Sequence, residues 1–244
     1  MPEHTPLLRR FPDREALGKA AADDIAEALT KRLAGQPEVR MIFASAPSQE
    51  STLRALAAQP GIDWTRVTAF HMDEYVGLAE DAPQRFGNWL REVLFDRVPL
   101  GAVELIDPGA PVERYAELLT AAPIDISCLG IGVNGHLAFN DPPADFDDPA
   151  LVKRVELDDV SRQQQVDDGC FGAFADVPSS AVTLTVPALL SAAELFCMVP
   201  GASKRAAVTR TLHGPIGGEL PASALRTHPN CTIYVDKESA PDAR

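Results

Sequence analysis

At 244 residues, with 45% hydrophobic and 23% charged residues, the chain can pack one large α/β domain or two small ones. Its net charge of −13, from 22 basic and 35 acidic side chains, opposes a phosphate backbone and argues against general nucleic-acid binding. An anionic small molecule then needs a pocket whose local charge runs against the global field, which draws attention to individual Lys and Arg residues.

Helical and strand patterns alternate along the whole sequence. Residues 14–34 carry Leu17, Ala21, Ile25, Ala28, Leu29 and Leu33 at helical spacing and end at Gly35. Val39–Ala44 is an apolar run fit for a buried strand, 51–58 is helical, and Val67–Met72 is a second strand. A helix is expected over 84–97, with Phe86, Leu90 and Leu94 on one stripe. A short strand at 103–106, a helix at 111–120 and a strand at 124–130 follow. The second half gives strands at 181–186 and 195–199, a helix at 204–212 and a last strand at 231–235. This order predicts an α/β fold with a mainly parallel sheet and helices on both faces, whose ligands bind beyond the carboxyl ends of the strands. No repeat or linker interrupts the pattern, so residues 1–244 are expected to form one domain. No segment approaches the length of a membrane span, and the first twenty residues lack an apolar signal-type run. With four widely spaced cysteines and no close pair, the expectation is a cytoplasmic protein with reduced thiols and no membrane partner.

Unusual polar residues gather in loops at strand ends. After the 67–72 strand comes His71-Met72-Asp73-Glu74-Tyr75-Val76-Gly77-Leu78. Two adjacent carboxylates there suit chemistry, but they suit a helix cap or a surface turn as well. After the 124–130 strand comes LGIGVNGHLAFNDPP, residues 129–143, in which Gly130, Gly132 and Gly135 let the backbone approach a ligand closely. His136 follows, the side chain suited to proton shuttling near neutrality, with Asp141 near enough in sequence to orient it. The three glycines match dinucleotide-binding spacing, but His136 and the early prolines do not open a helix, and that reading is weak. The five histidines form no ligand pair, so neither a metal nor an organic cofactor is implied.

MDEYVGL and LGIGVNGHLAFNDPP, in this order, resemble the two signature blocks of the glucosamine-6-phosphate deaminase/isomerase family, and PASALRTHPN (221–230) is similar to its closing segment. The resemblance covers residue 40 to the end and implies a Rossmann-like α/β fold. It further implies an aldose–ketose isomerisation coupled to loss of ammonia from a phosphorylated amino sugar. On it, Asp73 resembles the base that takes the C2 proton, and His136 the ring-opening acid/base assisted by Asn134 and Asp141. Lys204, which composition alone would make an exposed helix lysine, resembles the family's phosphate lysine. Ser45 and Ser48 fall in the phosphate loop, Gly132 in the close-approach loop, and Arg162 aligns with a site arginine.

The sequence departs from the family pattern at Ala46-Pro47, where glycines are common, and at Asn134, where Asp is common. Asp141 replaces Glu and is one methylene shorter, which threatens its reach to His136. Asp167 stands where a phosphate arginine is common. Residues 143–148 are acidic and unsuited to a second, activating phosphate; a homo-oligomer is left open. Two other readings accompany the deaminase: a 6-phosphogluconolactonase-like hydrolase and a non-catalytic sugar-phosphate sensor.

Overall fold

The computed structural model describes residues 3–241. Its elements in chain order are β1 (Leu7–Phe11), α1 (Arg14–Gly35), β2 (Val39–Phe43), α2 (Glu50–Ala57), β3 (Val67–His71), β4 (Asp73–Tyr75), α3 (Phe86–Leu90), β5 (Ala102–Glu104), α4 (Val112–Thr120), β6 (Ile126–Leu129), β7 (Val152–Glu156), α5 (Asp159–Asp167), β8 (Ser180–Leu184), α6 (Val186–Leu190), β9 (Glu194–Val199), α7 (Arg205–His213) and β10 (Cys231–Asp236). Seven strands form a sheet in the order β1-β10-β9-β6-β2-β3-β5, every neighbouring pair parallel.

Strand β2 shows why this sequence makes a two-sided sheet. Val39, Met41 and Phe43 enter one apolar layer with Leu17, Ile25 and Leu29 of α1 and Leu53 and Leu56 of α2. Ile42 enters the opposite layer, with Leu119 of α4, Leu189 of α6 and Val208 of α7. A strand buried on both faces has no polar alternation to show, and its period-2 pattern survives only as a division between two cores. The one charge in it, Arg40, is buried and gives its guanidinium to the Leu118, Leu119 and Ala122 carbonyls at the end of α4. Helix α1 is started by Asp13, whose Oδ1 accepts from Ala16 N at 2.8 Å.

The expected elements are present with shifted ends, and three differences bear on function. The strand expected over 67–72 ends at His71; past Met72 the chain joins a second sheet, antiparallel, of order β4-β8-β7. The helix expected over 84–97 is α3 followed by a π-helical turn at Arg91–Phe95. The strand expected over 181–186 stops at Leu184, where Thr185 caps α6 through its hydroxyl. Beneath the small sheet lies a third apolar cluster that includes Tyr75, Phe86, Phe139 and Phe171. No helix among the described residues is long and apolar enough to cross a membrane.

Candidate active site

The sheet order reverses at β2, which sends the chain to β3 on one side and receives β6 on the other. The loops leaving β2 and β6 therefore diverge and open a cleft at the strands' carboxyl ends. Ser45, Ser48, Asp73, Gly132, His136 and Lys204 line this cleft. The floor and side walls come from Phe86, Phe139, Gln164 and Gln165.

On one wall the loop 130–141 folds back on itself. Gly132 N donates to the His136 carbonyl at 3.0 Å and Gly135 N to the Gly132 carbonyl at 3.0 Å. Gly135 takes φ +92°, and any Cβ there would lie 2.2 Å from Leu220. The closing segment buttresses the loop, with Ala222 N donating to the Gly135 carbonyl at 2.8 Å. The imidazole of His136 lies against Gly132 so closely that a Cβ at 132 would come within 2.2 Å of Nε2. Only glycine leaves room for the ring.

His136 Nδ1 is 2.8 Å from Ser161 Oγ and 3.2 Å from Asp141 Oδ1. Ser161 also donates to Asp141 Oδ1, so its one proton is spent there and its lone pair can accept Nδ1–H. That assignment leaves Nε2 as the imidazole's free proton acceptor. Burial raises the Asp141 carboxyl's affinity for a proton, but hydrogen bonds from His136, Ser161 and Asn134 outweigh it and hold the group at about 2. Asn134 bridges the two partners: its Oδ1 accepts from His136 N at 3.0 Å and its Nδ2 donates to Asp141 Oδ1 at 3.1 Å. An aspartate at 134 would have no proton to give and would set a second carboxylate against the first. Asn134 and Asp141 thus suit each other, and the shorter Asp141 side chain does reach the imidazole.

The opposite wall carries Asp73, first residue of β4, placed where the chain passes from one sheet to the other. It is 6% exposed, and burial first and the neighbouring Glu74 second push its carboxyl well above the ordinary range. Lys204 sits in the 3-10 turn Ala202–Lys204 after β9 and is 5% exposed. Its ammonium has no hydrogen-bond or ion-pair partner among the described residues; burial lowers its proton affinity and the field of Asp168 opposes that. The turn is held by Asp236, which accepts from Gly201 N at 3.1 and 3.0 Å. A buried cation left open to a cleft is suited to an anionic partner.

A family model described as glucosamine-6-phosphate isomerases/6-phosphogluconolactonase matches residues 12–234. The chain belongs to this family. The glucosamine-6-phosphate deaminase of Listeria welshimeri serovar 6b is 35% identical over 210 residues, 83% of this chain and 87% of that one. The glucosamine-6-phosphate deaminase of Streptococcus pneumoniae is 35% identical over 186 residues, covering 74% and 77%. A structure described as a monomeric glucosamine-6-phosphate deaminase superposes with a TM-score of 0.86 at 27% identity, covering 96% of this chain and 98% of that one. The 6-phosphogluconolactonase of Thermotoga maritima superposes at 0.77 with 22% identity, covering 96% and 100%, a likeness of fold.

Within this family framework the structure separates Arg162 from the other expected site residues. Arg162 does not line the cleft: its Nη2 donates to the Val177 and Phe174 carbonyls at 2.9 and 3.2 Å, and its guanidinium lies 4.0 Å from the Phe174 ring centre. A guanidinium so engaged clamps the 174–177 turn. Asp167, whose place raised the question of a phosphate facing an anion, accepts from Gln163 Nε2 at 2.9 Å on the exposed side of α5. The sequence reading missed Ser161, Gln164 and Gln165. They are the buried face of α5, at i, i+3 and i+4, and the signal was their helical spacing rather than any hydrophobicity. Among the described residues no three His, Cys, Asp or Glu side chains gather to hold a metal ion.

Proposed function

We propose that the protein is a cytoplasmic amino-sugar-phosphate deaminase/isomerase that converts glucosamine 6-phosphate, or a close epimer, to a ketose 6-phosphate and ammonia. One observation supports this most: a proton-avid buried carboxyl, Asp73, and an oriented imidazole, His136, line a single cleft that also holds the unpaired Lys204. Deaminase relatives at 35% identity support the same reading.

Lys204, with the hydroxyls of Ser45 and Ser48, receives the phosphate and anchors the sugar along the cleft. Nε2 of His136 takes the proton of the anomeric hydroxyl and returns it to the ring oxygen, opening the ring. The ionised Asp141 stabilises the imidazolium that forms in between. Asp73 then removes the proton from C2 of the open-chain sugar. A carboxylate that gains proton affinity from burial is a stronger base than one in water, and it can redeliver the proton at C1. Protonation at C1 leaves an imine at C2; water adds to that carbon as the C–N bond breaks, and ammonia departs to leave the ketose phosphate.

The test is ammonia release from glucosamine 6-phosphate, galactosamine 6-phosphate and mannosamine 6-phosphate. Release from one of them, abolished by both Asp73→Asn and His136→Ala, is the expected result. No release from any would overturn the proposal, and lactone hydrolysis without ammonia would transfer the chain to the hydrolase branch.

A further inference from the structure

Beside Asp73 is a second carboxylate that the mechanism does not use. Glu74 is 1% exposed and points to the opposite side of β4 from the cleft. Its Oε1 accepts from Tyr75 N and Phe86 N, each at 3.0 Å, and its Oε2 accepts from Gly87 N at 3.0 Å. Two basic side chains flank it, the Arg85 guanidinium with Nε at 3.8 Å and the His71 imidazole with Nε2 at 3.6 Å. His71 is itself fully buried, and its Nε2 has no hydrogen-bond partner, so Glu74 is the group it faces.

This is more than a capped loop needs. Eleven residues separate Glu74 from Phe86 along the chain, and the carboxylate ties the two ends of that excursion together. Phe86 is a wall of the cleft: its carbonyl accepts from Ser45 Oγ at 3.4 Å, and its ring packs on Tyr75 and Phe139 at 4.6 and 5.7 Å. Asp73, one residue before Glu74, faces the cleft with no hydrogen-bond donor of its own among the described residues. Its place is therefore set by the backbone of β4, and that backbone is fastened by Glu74.

We propose that Glu74 is a positioning residue for the reaction, one whose carboxylate locks the Arg85–Gly87 turn onto the end of β4 and so fixes Asp73 against the Phe86–Ser45 wall. The inference rests on the deaminase reading for its chemistry. Glu74 also acts on Asp73 as a fixed anion: after burial, it is the other cause of Asp73's raised proton affinity. His71 and Arg85 are the titratable or charged groups that face it, and Asp73 and Tyr75 feel its charge from within β4.

Glu74→Gln keeps the shape and removes the charge; Glu74→Asp keeps the charge and shortens the reach. Rates and KM for ammonia release are measured across pH, and the Asp73 carboxyl is titrated by carbon-13 NMR in the sugar-free protein. In Glu74→Gln we expect kcat to fall about tenfold or more with KM within about threefold. The acid limb of kcat/KM and the Asp73 midpoint should both move to lower pH, because an anion that opposed ionisation is gone. Glu74→Asp should lose rate while keeping the acid limb closer to wild type. A folded Glu74→Gln whose kcat and Asp73 midpoint both match wild type would overturn the proposal. So would loss of melting temperature in both variants with no change in either readout. If the wild-type protein releases no ammonia, the deaminase reading fails, and the NMR titration still decides whether Glu74 governs Asp73.

Discussion

Asp73 is buried and lines the cleft, and Asp141 stands half-buried behind His136, yet their surroundings drive them in opposite directions. Asp141 is met by three hydrogen-bonding side chains and is held at about 2. Asp73 has no donor among the described residues, a buried position and an anion next to it, and is pushed up. One carboxylate is arranged to stay charged and the other to welcome a proton, the division of labour expected of a fixed stabiliser and a working base. Among the described residues the difference is written in the donors each can reach: Ser161, Asn134 and the imidazole on one wall, none on the other.

The contrast is broken most severely by Asp73→Asn, which should reduce ammonia release by about a thousandfold or more, since no other carboxylate among the described residues lines the cleft. The same variant should melt higher than wild type at neutral pH. A carboxyl whose folded proton affinity is raised costs the native state nothing below its unfolded value. It costs progressively more as pH rises toward the folded one, and the amide removes that cost. Thermal melts between pH 4 and 8 check the sign.

Asp141→Asn should lower kcat by about a hundredfold to ten-thousandfold by releasing the imidazole tautomer. Its stability effect is opposite to that of Asp73→Asn. A depressed carboxyl stabilises above its unfolded value of 3.8, and the contribution, at most about 2 kcal/mol, is lost as pH falls toward about 2. Melting curves of the variant should therefore converge on wild type in that acid window. Lys204→Met should act on the substrate rather than on either carboxylate, raising KM for a sugar phosphate about tenfold to a hundredfold with a smaller change in kcat. Ser161→Ala should be mildest, a fall in kcat of about tenfold or less, because Asp141 still lies 3.2 Å from Nδ1. A pH–rate profile would show whether the His136 limb moves with it.

How much of this was legible follows from what each residue is buried against. Strands β2, β3, β6, β9 and β10 are apolar on both faces and announced themselves as runs such as Val39–Phe43. Helix α5 did not, because its inward face is Ser161, Gln164 and Gln165, turned to a polar site that offers no apolar stripe to read. Strands β1 and β7 were missed for a related reason: LLRRF and VKRVE are half exposed and rich in charge. The loops of the site were visible as motifs, and the Gly132–His136 loop, Asp73 and Lys204 do come to one cleft from separate parts of the chain. What the sequence could not show is where a guanidinium goes: Arg162 lies one residue after Ser161 and turns to the Phe174–Val177 carbonyls instead.

The margins of the large sheet carry a further consequence. At one margin β1 is partly exposed and bears Arg9 and Arg10, with Arg9 salt-bridged to Asp24; at the other, β5 is only three residues long. An unpaired strand margin is a template on which foreign chains can be added. Here one template is studded with charge and the other is too short to hold a guest. A protein so finished at both rims should stay dispersed at high concentration, its parallel sheet closed to growth without needing to curl into a barrel.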